Sequence, residues 1–174
     1  ETGLEQFAGG EAVDNLFARW RFGASHGAPP VPDSEEMRKA LQTACYGSKS
    51  FAELRGLLGD GGLERVLLQS LPPGQRELLN QLAPEKIQLP SGRSAKVQYV
   101  DGQPPAVASR LQDFFGMKET PRVAGGRVNV VVHLLAPNYR PVQMTQDLAG
   151  FWERLYPQVR KELGRRYPRH SWPE

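Results

Sequence analysis

The apolar residues of this chain recur at helical spacing as far as Ala83, and just past Pro84 they change to a two-residue alternation. A chain with one such switch cannot be all-helical or all-strand. Before the switch, Val13, Leu16, Phe17 and Trp20 mark a helix over Glu11 to Phe22, and the Gly/Pro stretch Gly23 to Pro32 reads as a loop. Asp33 or Ser34 caps a second helix running through Met37, Ala40, Leu41 and Ala44 toward Gly47. Ser50 with Glu53 three residues on is a capping box for a helix over Phe51 to Leu58. Gly59 to Gly62 is a helix connection. A short helix follows at Leu63 to Leu71, and Pro72-Pro73 opens another that ends near Ala83.

After the switch, Ile87 and Leu89, a Pro90-Ser-Gly-Arg93 turn, and Ala95, Val97 and Tyr99 predict a hairpin half-buried on one face. Val107 to Phe115 reads as a helix stopped by Gly116, with Leu111, Phe114 and Phe115 inward. Pro121 to Arg127 is a Gly-rich loop. Val128 to Leu135 is a buried strand ended by Pro137-Asn138. A final helix starts at Thr145 with Asp147 in its first turn, where a carboxylate favours the helix dipole. Leu148, Phe151, Trp152, Leu155, Val159 and Leu163 form its buried stripe, and Pro157 must kink or divide it. The expected class is α+β. A helical N-terminal half, residues 1–83, packs beside a small three-stranded β-β-α-β-α unit, residues 84–174.

At 174 residues, with 39% apolar and 24% charged content, the chain can build a core. The run Val128 to Ala136 is too short to cross a bilayer, and the start lacks a secretory pattern. One cysteine, Cys45, excludes an internal disulfide framework and fits a reducing, cytoplasmic compartment; its expected place is a buried helical position. The first residue is Glu1 rather than Met, which fits a piece of a longer protein, with Glu1-Thr2-Gly3 readable as a cloning remnant.

No catalytic pattern emerges. There is no Gly-rich loop followed by Lys-Ser/Thr to cradle a phosphate, and no Gly-x-Ser-x-Gly elbow. His26, His133 and His170 lack neighbours at metal-ligand spacing, and His133 reads as a packed strand histidine. Charge is the stronger signal. Residues 1–120 hold 13 Lys and Arg against 15 Asp and Glu, a net of −2; residues 121–174 hold 9 against 4, a net of +5. In a straight final helix Arg154, Gln158, Lys161 and Arg165 would line one face able to track phosphates. Arg160, Arg166 and Arg169 add charge. Tyr167 or Trp172 is a candidate to stack on a base, unless these rings staple the tail to the core. Arg122 and Arg127 flank a Gly-Gly pair whose backbone amides are a second candidate phosphate contact.

Several runs occur in a telling order. They are Leu82-Ala-Pro84, Leu89-Pro-Ser-Gly-Arg93, Arg110-Leu-Gln112 with Phe115-Gly116, Thr120-Pro-Arg-Val123 with Gly126-Arg-Val128, and His133-Leu-Leu135. Arg140-Pro141, Gln146-Asp-Leu-Ala-Gly-Phe-Trp152, Val159-Arg-Lys-Glu162, Arg166-Tyr-Pro-Arg-His170 and Trp172-Pro-Glu174 complete the series. This pattern resembles the C-terminal region of HrpB-type bacterial ATP-dependent helicases of the DEAH-box group. It is strong from about Leu79 onward and weaker over residues 11–78.

The resemblance implies a parent that hydrolyses ATP with Mg and acts on RNA through two RecA-like motor domains upstream. None of the motor motifs lies in these residues, so it implies no catalytic residue and no cofactor here. The expected role is an accessory region that packs on the helicase core of the same polypeptide. Its basic surface would then lie near single-stranded or structured RNA, with no membrane involved. The rival expectation is a protein-docking module without nucleic-acid contact, favoured if Phe151, Trp152, Tyr156 and Trp172 form an exposed patch. A stand-alone enzyme is the weakest reading, because no site assembles.

Overall fold

A computed structural model describes residues 10–46, 48–50, 52–53, 56 and 62–173, with side chains described from Asp14 onward. The chain divides into two units, one of residues 1–83 with 99–101, the other of residues 84–98 with 102–174. The first is helical and the second is built on a mixed sheet, so the chain is α+β.

In the first unit α1 spans Gly10–Ser25, α2 Ser34–Cys45, α3 Gly62–Ser70 and α4 Pro73–Leu82. Leu16 and Trp20 of α1 are buried as the spacing predicts, and Trp20 Nε1 donates to the carbonyl of Pro29 at 3.1 Å. The side chain of Val13 lies outside the described residues. Helix α1 runs three residues past the predicted stop because Gly23 serves packing rather than a turn. A Cβ there would sit 2.5 Å from Leu79 Cδ1 of α4. Asp33 caps α2 in a complete capping box, accepting from the amides of Glu35 and Glu36 while Glu36 accepts from the Asp33 amide at 2.9 Å. The apolar stripe of α2 is only half-buried, and so is Cys45 at its end, which corrects the buried position expected for that thiol.

The predicted helix over 51–58 lies largely outside the described residues. At its start, the Glu53 amide donates to Ser50 Oγ at 3.2 Å and the Lys49 amide to Glu53 Oε2 at 2.6 Å. Of the Gly59–Gly62 connection only Gly62, the first residue of α3, is described.

In the second unit the strands are β1 Lys86–Gln88, β2 Ser94–Gln98, β3 Ala106–Arg110, β4 Arg122–Val123, β5 Val128–Asn129, β6 Val131–Leu135 and β7 Pro141–Thr145. Five form one sheet in the order β1-β2-β3-β6-β7, with β3 and β6 parallel and the other neighbours antiparallel. Several elements differ from the sequence expectation. The predicted helix over 107–115 is instead β3 followed by a 3-10 turn, Leu111–Phe114. Pro104-Pro105 delivers the chain extended, and Val107 gains a place at the sheet centre with 0% exposure, which outweighs a weak local helix preference. The residues expected inward, Leu111 and Phe114, are still fully buried, while Phe115 is half-exposed.

The second difference is β7, which the periodicity did not mark. It is an edge strand, mostly exposed or half-exposed, so it lacks the alternation of a half-buried strand. Pro141, which has no amide hydrogen, sits at its first residue beside a bulge between Leu134 and Leu135. The sheet is therefore larger than the three strands expected. The strand predicted over 128–135 is also split at Val130. Its first two residues pair with β4, and the rest enter the main sheet.

The C-terminal helix begins later than expected. Strand β7 continues through Thr145, and Asp147 caps α5, Leu148–Gly150, accepting from the Gly150 amide at 2.9 Å. A π-helical segment, Phe151–Leu155, then leads into α6, Tyr156–Arg166. Pro157 explains the division. It lacks an amide hydrogen and its ring would strike the carbonyl four residues back, so it sits in the first turn of a new helix. The wider turn is closed by the Tyr156 amide donating to the Phe151 carbonyl, five residues back.

Candidate nucleic-acid interface

The extra residue of the π turn rotates everything after it on the helix. Leu155, expected inward, is 44% exposed, and Tyr156, absent from the predicted stripe, is 7% exposed. Leu148, Phe151 and Leu163 are buried as expected. The same rotation breaks the straight basic line. Arg154 lies in the π segment and turns back to the cap, with Nη2 2.8 Å from Asp147 Oδ2. The Gly150 amide and the Arg154 guanidinium hold the Asp147 carboxyl below the usual carboxylate range. Arg160 faces the side of Tyr156 and Leu163 and is half-buried.

Helix α6 thus presents Lys161, Arg165 and Arg166 to solvent, and the tail adds Arg169. Arg165 Nε donates to the Lys161 carbonyl at 3.3 Å, and the Arg166 guanidinium lies 5.8 Å from the centre of the Tyr167 ring. Tyr167 is half-buried rather than splayed out, its carbonyl accepting from Trp172 Nε1 at 3.1 Å. The tail is tied down a second time where Tyr156 Oη donates to the Pro173 carbonyl at 2.9 Å.

Rings hold this end of the unit together. Phe115 packs 5.9 Å from Trp152, 5.8 Å from Tyr156 and 6.5 Å from Trp172, measured between ring centres. Trp152 Nε1 donates to the Met117 carbonyl at 2.7 Å. Phe151 and Tyr156 are buried and Trp152 and Trp172 half-buried, so these four rings serve the interior more than the surface.

Arg122 and Arg127 occupy different settings. Arg122 of β4 is exposed and lines a cleft of about 360 Å³ with Glu119, Thr120, Asn129, Gln146, Asp147 and Ala149. Arg127 Nε donates to the Ala124 carbonyl at 2.7 Å. Ala124, Gly125 and Gly126 are all left-handed, with φ of 54°, 65° and 85°. The amides of Gly126 and Arg127 close that turn onto Val123 and Ala124.

A further charged cluster centres on Asp113. Asp113, 3% exposed, accepts from Ser109 Oγ at 2.6 Å and lies 3.6 Å from Arg110 Nε and 3.8 Å from Arg93 Nε. Burial by itself pushes the Asp113 carboxyl up, but hydrogen bonds from Ser109 and Ser91 and the charges of Arg110 and Arg93 outweigh it and hold it below its ordinary value. A lowered folded value stabilises the protein above the unfolded value, and that stability is lost as pH falls through the folded one. Asp113→Asn is expected to cost about 1–2 kcal/mol at pH 7, with the gap to the wild type closing below about pH 4. Urea titrations at the two pH values check this. The spacing of Arg110 and Asp113 was visible in the sequence, but the approach of Arg93 depends on the β2–β3 pairing.

Among the described residues, no group of His, Cys, Asp and Glu side chains is placed to hold a metal ion, and no helix is long and apolar enough to cross a membrane.

Comparison with known proteins gives concordant matches. Residues 41–174 match a family model described as ATP-dependent helicase C-terminal, HrpB_C. The ATP-dependent RNA helicase HrpB of Escherichia coli strain K12 is 36% identical over 149 residues, covering 83% of this chain and 18% of that protein. A crystal structure of the E. coli DExH-box NTPase HrpB superposes with a TM-score of 0.76 at 32% identity, covering 97% of this chain and 21% of the other. A second crystal structure, of the E. coli DEAH/RHA helicase HrpB, gives 0.64 at 32% identity over 94% and 21%. The chain therefore spans about a fifth of the length of the proteins it matches.

Proposed function

The chain belongs to the HrpB-type C-terminal family of ATP-dependent helicases, and from that premise we propose that it is a non-catalytic accessory region of an RNA helicase. It packs on the motor of its own polypeptide and offers the RNA backbone a basic surface. ATP and its Mg belong to motor domains upstream, and the working place is the cytoplasm. Within the chain we assign residues 1–83 to a helical region and 84–174 to the C-terminal α+β domain, although the family match begins earlier, at residue 41.

The observation that carries the RNA reading is the set of exposed cations on α6 and its tail, namely Lys161, Arg165, Arg166 and Arg169. They stand on an element anchored by buried Tyr156 and Leu163, so their spacing is fixed before a ligand arrives. Such contacts position a backbone without reading sequence, and each releases counterions. Arg154 plays a lesser part, because its charge is paired with Asp147.

Fluorescence anisotropy with labelled single-stranded RNA is expected to show weak binding that falls steeply with salt. Lys161→Glu with Arg165→Glu is expected to weaken it about tenfold and to flatten the salt slope by about two. Indifference to both changes removes the α6 assignment. The docking alternative draws less support, since the rings that would form its patch are buried or half-buried. It gains if deleting residues 79–174 from the longer helicase leaves ATPase and RNA binding unchanged.

A further inference from the structure

A second basic and aromatic cluster, made of residues outside α6, lies at the end of the sheet where β3 and β6 finish and β7 begins. Arg110, the last residue of β3, pairs with Leu135, and Leu135 pairs with Pro141. These three residues form one row across three strands, and the β6–β7 turn projects from its end. The turn is tight, with the Ala136 amide donating to the Arg140 carbonyl at 2.8 Å and the Tyr139 amide to the Ala136 carbonyl at 2.8 Å. Tyr139 sits on it at φ 63°, in the left-handed region that a bulky residue enters at a cost and that Gly or Asn enters readily. Its side chain recovers little by burial, since the residue is 62% exposed. Burial alone gives no reason for an aromatic ring there.

The surroundings supply one. The Arg110 guanidinium lies over the Tyr139 ring, 5.8 Å from its centre, and Arg140 follows in sequence and is exposed. Arg93, whose side chain is 59% exposed, shares the Asp113 carboxylate with Arg110. One arginine thus lies over the outward ring, a second follows the ring in sequence, and a third shares a buried carboxylate with the first. Arg110 Nε is buried without a hydrogen-bond partner, its distance to Asp113 being that of an ion pair only.

We infer that Tyr139 is a stacking platform for a nucleobase of single-stranded RNA, with Arg93 and Arg140 taking the flanking phosphates and Arg110 holding the ring in place. An aromatic face accepts any base, so the site is sequence-tolerant, and the arginines make it salt-sensitive. The inference rests on the proposed RNA contact but uses none of the α6 residues, so the two can fail separately.

The test compares the wild-type chain with Tyr139→Asn, Tyr139→Phe and the double variant Lys161→Glu with Arg165→Glu. Each is titrated against a uridine oligonucleotide and against its abasic sugar-phosphate counterpart. Asn suits the left-handed backbone, so Tyr139→Asn removes the ring without straining the fold. It is expected to weaken uridine-oligonucleotide binding about tenfold, to leave the abasic strand and the salt slope unchanged, and to be rescued by Tyr139→Phe. If Tyr139→Asn binds both strands like the wild type while the α6 variant does not, the platform is overturned and the α6 reading stands. If Tyr139→Asn loses both strands equally, the contact is not stacking and the inference also falls. Loss on Tyr139→Asn with an indifferent α6 variant supports the platform and removes the α6 role. A wild type that binds neither strand overturns both and leaves protein docking.

Discussion

Replacing Arg19 with methionine is expected to destabilise the helical unit by about 3 kcal/mol. Arg19 is 2% exposed, yet it is charged. Its Nε donates to the Ala83 carbonyl at 2.7 Å, its Nη2 to Asn80 Oδ1 at 2.6 Å, and its Nη1 lies 3.5 Å from Glu64 Oε1. The Ala83 carbonyl belongs to the C-cap of α4, where Pro84 forbids another turn and the last carbonyls lose their helical donors. Ala83 is 0% exposed, so water cannot replace the lost donor. Methionine fills much of the volume but strands that carbonyl, and an unpaired buried acceptor costs more than the net worth of the bond it made. Glu64→Gln is the matched comparison. The Glu64 side chain is 32% exposed and its distance to Arg19 is long, so under about 1 kcal/mol is expected. Urea titration followed by Trp20 fluorescence separates the two. Equal midpoints for wild type and Arg19→Met would show that the guanidinium does not cap α4.

Arg19 also marks a limit of reading from sequence. Helix α1 was legible from the spacing of Leu16 and Trp20, but an arginine beside that stripe looks like any solvated surface residue. Its burial depends on a carbonyl 64 positions away. The β1–β2 hairpin was legible for the opposite reason. One of its faces is buried and the other wet, so Ala95, Val97 and Tyr99 alternate visibly with polar residues. Strand β7 carries no such contrast, and the five residues of β3, Ala106–Arg110, are too short a run for periodicity to distinguish strand from helix.

The candidate interface was legible in composition, while a single basic face over Arg154 to Arg165 was conditional on a straight helix. The excess of positive charge after residue 121 was plain, and Lys161, Arg165, Arg166 and Arg169 are exposed. The helix that this face required is divided, with Pro157 in the first turn of α6 and the π turn just before it, as Pro157 led one to expect. Proline announced a break but not its form. Tyr139 and Arg93 went unnoticed because their neighbours come from other strands.

The π turn leads to the largest expected effect in the sheet unit. Phe151 opens that turn and is 1% exposed. Its amide donates to the Asp147 carbonyl at 3.0 Å and its carbonyl receives the Tyr156 amide, so its backbone joins cap, π segment and α6. Its ring lies 5.0 Å from Trp152 and 6.3 Å from Tyr156. Phe151→Ala removes a fully buried ring at the junction and is expected to cost about 3–5 kcal/mol, while Phe151→Leu keeps most of the apolar volume and should cost under about 1.5 kcal/mol. The proposed function makes a further demand on the alanine variant. It changes no charge, yet it loosens the base on which Lys161, Arg165 and Arg166 stand. RNA affinity should therefore fall in Phe151→Ala and hold in Phe151→Leu at a temperature where both remain folded. If the alanine variant binds RNA as tightly as wild type while melting far lower, the cations act as loose charges. The fixed spacing given to α6 would then have no part in binding.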